Sequence, residues 1–388
     1  MRIYLDNAAT TPLNREVFLA MEPYLFENFG NPSSSHFHGR EARVAIEQSR
    51  GIIADLLNAT PRHIVFTSGG SEADNTAILS GIRANNIRLA ITTPFEHHAV
   101  LHTLKALEKN GEIRIVYLKH DERGNISLSH LEQLIAANER AFVSVMHGNN
   151  EIGNLNDIES IASVCRTYRA VFHSDTVQSM GQYRYDTSSL NVDFLVGSAH
   201  KFHGPKGIGF LYRNTAHELQ PLIHGGAQEY KQRAGTENVT GIVGLAKALE
   251  IAYRNQSASQ KHLIKLKERM IFKLTDKIQG ISFNGNSAQN HGTLNSVLSV
   301  SLPDLQSGIS PLHYLDQHQI SASGGSACNS HSGAGSHVLS ALGYDFSRPT
   351  LRFSFSRYNT EEEIDYAVEK LAGLYVRESS LERAEAYL

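Results

Sequence analysis

Residues 171–182 read VFHSDTVQSMGQ, and residues 191–207 read NVDFLVGSAHKFHGPKG. Each stretch begins with a short apolar run of strand-forming residues. Asp175 stands just past the first run. Lys201 stands just past the second, between His200 and a Gly-Pro-Lys-Gly turn. In α/β proteins ligands bind outside the carboxyl ends of the strands. A lysine amine in that position can hold an aldehyde as a Schiff base. A carboxylate there can keep a pyridine nitrogen protonated, so that the ring accepts electrons. Pyridoxal phosphate needs both partners. Taken singly, an aspartate and a lysine are ordinary surface charges; paired at two strand ends, they point to a cofactor.

Working outward from this pair, short β-branched runs alternate with amphipathic helical stretches. That alternation predicts an α/β fold with a largely parallel sheet. Seven strands are expected in the first part: HIVF from His63, RLAIT from Arg88, RIVYL from Arg114, FVSVM from Phe142, AVFH from Ala170, DFLVG from Asp193 and GIGFLY from Gly207. Residues 40–58 read as a helix with Ala42, Ala45, Ile46, Ile53, Leu56 and Leu57 near one face. The polar stretch after Asn255 marks the expected border of a subdomain. Beyond it come a helix to about Ile278, strands from Ser296, Ile320 and Leu351, and a last helix. Thr360 and Glu363 open that helix with a capping-box spacing. The expected organisation is a large domain over residues 15–255, with residues 1–14 and 256–388 forming a smaller α+β domain.

The chain has 388 residues, 41% hydrophobic and 19% charged, which suits a globular enzyme of two subdomains. A net charge of −3 provides no basic field for nucleic acid or an anionic membrane. The 20 histidines are scattered without metal-ligand spacing. The N-terminal MRIYLDNAATTP has no apolar signal core, and no apolar run reaches membrane-spanning length. With two cysteines there is no disulfide framework, so a reducing cytoplasm is the expected setting.

Further residues carry chemistry. TSGGSE, from Thr67, joins a strand to a helix, and its exposed N–H groups suit a phosphate. Ser198 and His200 flank Lys201 and add donors to the same group. His97, in the Glu-His-His that follows ITTPF, is placed to stack on a ring and move protons. Cys328 lies in SASGGSACNSHSGAGS, residues 321–336. Small residues dominate that loop and no apolar face is available to bury a thiol, which predicts an exposed nucleophile. Cys165 contrasts with it, being at helical spacing with Ile158, Ile161 and Ala162, which predicts core packing. Arg352 alternates with Leu351, Phe353 and Phe355, so it faces away from them. It reads either as a structural ion pair or as a bidentate clamp for an amino-acid carboxylate.

The chain resembles the class I cysteine desulfurases of the NifS/IscS type, fold-type I pyridoxal phosphate enzymes of the aminotransferase class V family. The resemblance runs nearly end to end through LDNAATTP at Leu5, FGNPSSSH at Phe29, TSGGSEADN at Thr67, EHHAVL at Glu96, MHGNNEIG at Met146, HSDTVQ at His173, SAHKFHGPKG at Ser198, RAGTEN at Arg233, SGGSAC at Ser323 and LRFS at Leu351. It implies the Schiff-base role for Lys201 and the pyridinium partner in Asp175. Gln178 would bond the ring's phenolic oxygen, and Gly70, Ser71, Ser198 and His200 would hold the phosphate. His97 would stack on the ring. Asn150 would lie near the ring oxygen and the substrate carboxylate that Arg352 clamps. Thr236 would reach the phosphate of a neighbouring subunit, which implies a homodimer. Cys328 would accept sulfur from L-cysteine as a persulfide, releasing L-alanine, for delivery to iron–sulfur cluster assembly or thiolation. A sulfur-accepting or scaffold protein is the implied partner.

The chain departs from the family pattern at Tyr230-Lys231, where an Arg-Gly pair is usual, and at His331 after the nucleophile. It ends without the longer tail with which some members dock a scaffold. Selenocysteine lyase, which shares the fold and cofactor, is the nearest rival reading. A non-catalytic sulfur-assembly partner fits less well, because Lys201, Asp175, His97, Cys328 and Arg352 are all present. An aminotransferase would leave Cys328 without a role.

Overall fold

The computed structural model describes residues 1–138, 140–305, 308–324, 335–344 and 346–385, the segment 377–385 as helix backbone only. Seven strands form one sheet in the order Ile64–Thr67, Gly209–Arg213, Phe194–Ser198, Val171–Asp175, Phe142–Ser144, Leu89–Thr92 and Arg114–Tyr117. All neighbouring pairs are parallel except those of Gly209–Arg213, which runs antiparallel to both its neighbours. The carboxyl ends of the other six strands therefore share one edge. Thr67, Asp175 and Ser198 lie on that edge.

Hydrophobicity on both faces of the central strands requires cover on both sides. Val171–Asp175 and Phe194–Ser198 are buried throughout. The helices Phe37–Leu56, Ile158–Thr167 and Val239–Arg254 supply Ile53, Ala162 and Leu249 to one core. Gly70–Arg83 and His98–Lys109 supply Ala77 and Leu104 to the other. The sequence placed most strands within two residues of their observed limits. His63 instead belongs to a short 3-10 turn, and the last strand of the sheet starts at Gly209 rather than Gly207. The first long helix starts at Phe37 rather than Arg40, because His36 Nδ1 accepts the Gly39 N–H and caps it.

Two helices abut at Asn255: Val239–Arg254 and Gln256–Lys277. Past this point a three-stranded antiparallel sheet forms from Ser282–Phe283, Val297–Ser301 and Thr350–Ser354. Ile3 and Leu5 join its core with Leu266, Leu298, Phe353 and Leu371. Ile3–Tyr4 pairs in parallel with Ile320–Ser321. The long helix Glu361–Glu385 is opened by the expected reciprocal cap. Thr360 N–H donates to Glu363 Oε2 at 3.1 Å, and Glu363 N–H to Thr360 Oγ1 at 3.3 Å. Leu351, Phe353 and Phe355 face this core, and Arg352 faces the strand ends of the large sheet. Among the described residues no helix is long and apolar enough to cross a membrane.

Candidate active site

A cavity of about 420 Å³ opens over the shared edge of strand ends. Its walls include Gly70, Ser71, Asp74, His97, Asn150, Asp175, Gln178, Ser198, His200, Lys201 and Arg352. Ten of the twelve residues singled out from the sequence thus meet in one place, all but Thr236 and Cys328. Lys201 follows Phe194–Ser198 on a short 3-10 turn. Its Nζ donates to the carbonyls of Ala8 at 2.5 Å and Ala9 at 3.0 Å. The N-terminal segment therefore fixes the lysine's reach, and Gln178 Nε2 donates to the same Ala8 carbonyl at 2.8 Å.

Asp175 ends its strand and is buried, with Oδ1 accepting the Val177 N–H at 2.9 Å. Burial pushes its carboxyl up, while His97, the Val177 N–H and Lys201 pull it back. His97 caps the helix His98–Lys109, its Nδ1 accepting the Ala99 N–H at 3.1 Å. Nε2 therefore carries the hydrogen of the neutral ring. Burial favours that neutral form, against the pull of Asp175. His200 is held down to about 4, by burial first and then by Lys201 and Lys206.

The glycine-rich turn that suits a phosphate rests on close packing. A Cβ added at Gly70 would sit 2.8 Å from Val177 Cγ2, so a larger residue there would push the helix N-terminus away from the Asp175 turn. The first-turn N–H groups of Gly70–Arg83 face the cavity without carrying a side-chain cap.

Arg352 is 2% exposed. Its Nη2 donates to Asp6 Oδ1 at 2.8 Å and Ser323 Oγ at 3.2 Å, and its Nη1 to the Asn150 carbonyl at 2.9 Å. Nε has no partner. The ion-pair and clamp readings of this arginine are therefore compatible, since one face is held by Asp6 and the side chain still lines the cavity. Glu151 is buried beside it and accepts a hydrogen bond of 2.5 Å from Ser336 Oγ. Burial raises its carboxyl to about 7, against that bond and Arg352.

Thr236 does not line this cavity. It is exposed, in a separate recess with Ser68, Gly207 and Arg233. Cys328 and His331 lie outside the described residues. The two serines that bracket residues 325–334 are both tied to the cavity wall. Ser323 Oγ donates to Asp6 at 2.7 Å, and Ser336 to Glu151. Cys165 is buried as expected, and burial pushes its thiol up. Tyr230 has φ 56° and ψ 34° and donates to Glu47 at 2.9 Å, beside the buried Arg50–Glu229 pair.

Sequence reasoning missed Asp6, Asp74, Glu151 and the Ala8 and Ala9 carbonyls. For Asp74 a signal was present. It lies three residues after Ser71 on the same helix, so the two share a face.

Comparison with known proteins agrees with this geometry. A family model for aminotransferase class-V matches residues 3–367. The chain belongs to that family. It is 43% identical to a protein named cysteine desulfurase IscS from Methanosarcina thermophila, over 95% of this chain and 90% of that one. A solved structure described as a NifS-like protein superposes with a TM-score of 0.88 at 36% identity, covering 97% of this chain and 100% of the other. A structure of SspA in complex with cysteine superposes with a TM-score of 0.78 at 35% identity, covering 93% of this chain and 100% of the other.

Proposed function

We propose that the chain is a pyridoxal phosphate-dependent cysteine desulfurase that converts L-cysteine to L-alanine and carries the sulfur on Cys328 as a persulfide. The observation that carries this reading is the convergence of Lys201, Asp175, His97 and Arg352 on one cavity at the strand ends. The orphaned polar atoms at its edge, Asp74 Oδ1 and Arg352 Nε, fit a ligand that is cationic at one end and anionic at the other. When bound, pyridoxal phosphate supplies a sink for the electrons left when the substrate loses its α-proton.

The chain's own residues do the rest. Gly70, Ser71, Ser198 and His200 hold the phosphate, and Thr236 reaches the phosphate of a second subunit in a homodimer. Gln178 would bond the phenolic oxygen, His97 would cover the ring, and Asp175 would keep the proton on the ring nitrogen. Arg352 and Asn150 orient the substrate carboxylate. Lys201 holds the cofactor and takes the α-proton as a base. The Cys328 thiolate then attacks the substrate sulfur. The carbon–sulfur bond breaks, a sulfur–sulfur bond forms, and the carbon skeleton leaves as alanine after taking up a proton. This balances without an external oxidant or reductant. A free thiol titrates at about 8.5, so activation by a proton acceptor such as His97 would assist the thiolate at neutral pH. The persulfide is passed to an acceptor protein in a reducing cytoplasm.

Borohydride reduction of the yellow, cofactor-loaded protein followed by peptide mapping tests the core of the reading. The reduced adduct is expected on Lys201. An adduct on Lys206, or a protein that takes up no cofactor, would refute it.

A further inference from the structure

The ring-nitrogen end of the cavity holds a second buried carboxylate that the reading above does not use. Asp74 lies in the first turns of the helix Gly70–Arg83 and is 1% exposed. One ligand atom from each of Asp74, His97 and Asp175 lies within 4.8 Å of the other two. Asp74 also approaches His173, the residue two before Asp175 on the same strand face, with Oδ1 3.3 Å from Nε2. Among the described residues neither of those two buried atoms has a hydrogen-bond partner. His173 Nδ1 is engaged with Ser144 Oγ at 2.9 Å. His173 is fully buried and burial holds it down to about 3, so it is a neutral neighbour and not a counter-ion.

Glu96 shows how a buried carboxylate is otherwise accommodated here. It accepts Thr93 Oγ1 at 2.8 Å and the Met146 N–H at 3.0 Å. No bond of that kind reaches Asp74 Oδ1. Burial, Asp175 and Glu96 all push the Asp74 carboxyl well up. The groups facing it are thus two carboxylates, two imidazoles and, across the cavity, Lys201. Two carboxylates this close in a buried site do not both ionise unless a cation joins them.

We propose that Asp74 is a second anionic partner for the cofactor's ring nitrogen, acting beside Asp175, so that the site selects a ring that carries positive charge. With the cavity open, Asp74 keeps its proton. A cationic ring nitrogen held near the two carboxylates would stabilise the ionised form of Asp74, and the pair would share the charge that Asp175 alone would otherwise hold. Asp74 contacts no substrate and is a positioning and electrostatic residue. The inference rests on the pyridoxal phosphate reading and extends it to a residue outside the expected set.

The test compares two probes on apoprotein, pyridoxal phosphate and 1-deazapyridoxal phosphate, in which a ring CH replaces the nitrogen. Dissociation constants are read by quenching of tyrosine emission and by absorbance, without reference to turnover. The wild type is expected to favour the nitrogen-bearing probe, and Asp74→Asn to cut that preference about tenfold, mainly by weakening the nitrogen-bearing probe. Asp74→Ser, smaller and also uncharged, is expected to show the same drop and guards against a folding defect peculiar to the amide. An unchanged preference in either folded variant overturns the inference while leaving the cofactor assignment intact. Failure of the wild type to bind either probe overturns the cofactor assignment instead.

Discussion

The two ends of the cavity are built on opposite electrostatic plans. At the end proposed for the ring nitrogen, Asp74 and Asp175 crowd together, and Asp74 Oδ1 and His173 Nε2 have no hydrogen-bond partner among the described residues. At the other end, Arg352 is already compensated by Asp6, Ser323 and the Asn150 carbonyl. The first end is short of a cation and gains most when one arrives. The second is preorganised. Its arginine is fixed in place before any substrate carboxylate approaches, so less order is lost on binding, and Asp6 moderates the attraction. On the proposed reading, buried charge does different work within one cavity, recruiting at one end and orienting at the other.

The most severe break falls between these ends, where the chemistry occurs. Lys201→Ala is expected to lower alanine release by about 10²–10⁴-fold, the usual cost of losing a positioned base, and to abolish the covalently held cofactor absorbance. Cys328→Ala is expected to lose alanine release from cysteine to a similar degree yet keep the cofactor absorbance, because the thiol acts after binding. Retention of full selenocysteine turnover by that variant would shift weight to the lyase reading.

Arg352→Gln sharpens the contrast directly. It removes charge-assisted bonds to the substrate carboxylate and is expected to lower kcat/KM for cysteine by about 10–100-fold, chiefly through KM. Cysteamine, which lacks the carboxylate, should be turned over no worse by the variant than by the wild type. Equal losses for both substrates would mean that the arginine is structural only.

Asp6→Asn leaves Arg352 buried without its anion and is expected to cost about 3 kcal/mol of stability in the empty protein. Thermal melts with saturating L-alanine should recover part of that loss, since the product carboxylate can take the place of Asp6. No recovery would place the carboxylate site elsewhere.

The smallest effect concerns Glu151. Its carboxyl is raised from 4.5 to about 7 by burial. The folded state therefore binds more protons than the unfolded state between these values, and stability falls as pH rises through that window. Glu151→Gln should flatten the dependence of Tm on pH between about 4.5 and 7 relative to wild type. Parallel curves for the two proteins would show that the group does not titrate there.

Much of this architecture is legible in the sequence. Asp175 and Lys201 could be read because each follows a short apolar run, and strand ends are where α/β sites form. Strand positions could be read from β-branched runs. The reversed direction of Gly209–Arg213 could not, because a buried strand has the same pattern whichever way it runs. Asp6 was hidden by distance along the chain, since its partner Arg352 is brought to it by the bridge of Asp6 with Ser354 and by the pairing of residue 323 with residue 352. Asp74 lies in the helix that follows the glycine-rich turn, and its meaning depends on His173 and Asp175 arriving from another strand. Glu151 was passed over beside Asn150, because burial and not residue type sets its behaviour.

The central claim is that this cavity and Cys328 together move sulfur from cysteine to the chain. The most direct measurement is a single-turnover reaction of cofactor-loaded protein with L-cysteine, with alanine quantified and the Cys328 and Cys165 peptides weighed by mass spectrometry. The account predicts one alanine per added sulfur, with that sulfur on the Cys328 peptide and none on the Cys165 peptide. Alanine formed without sulfur on Cys328, or the same alanine yield from Cys328→Ala, would contradict it.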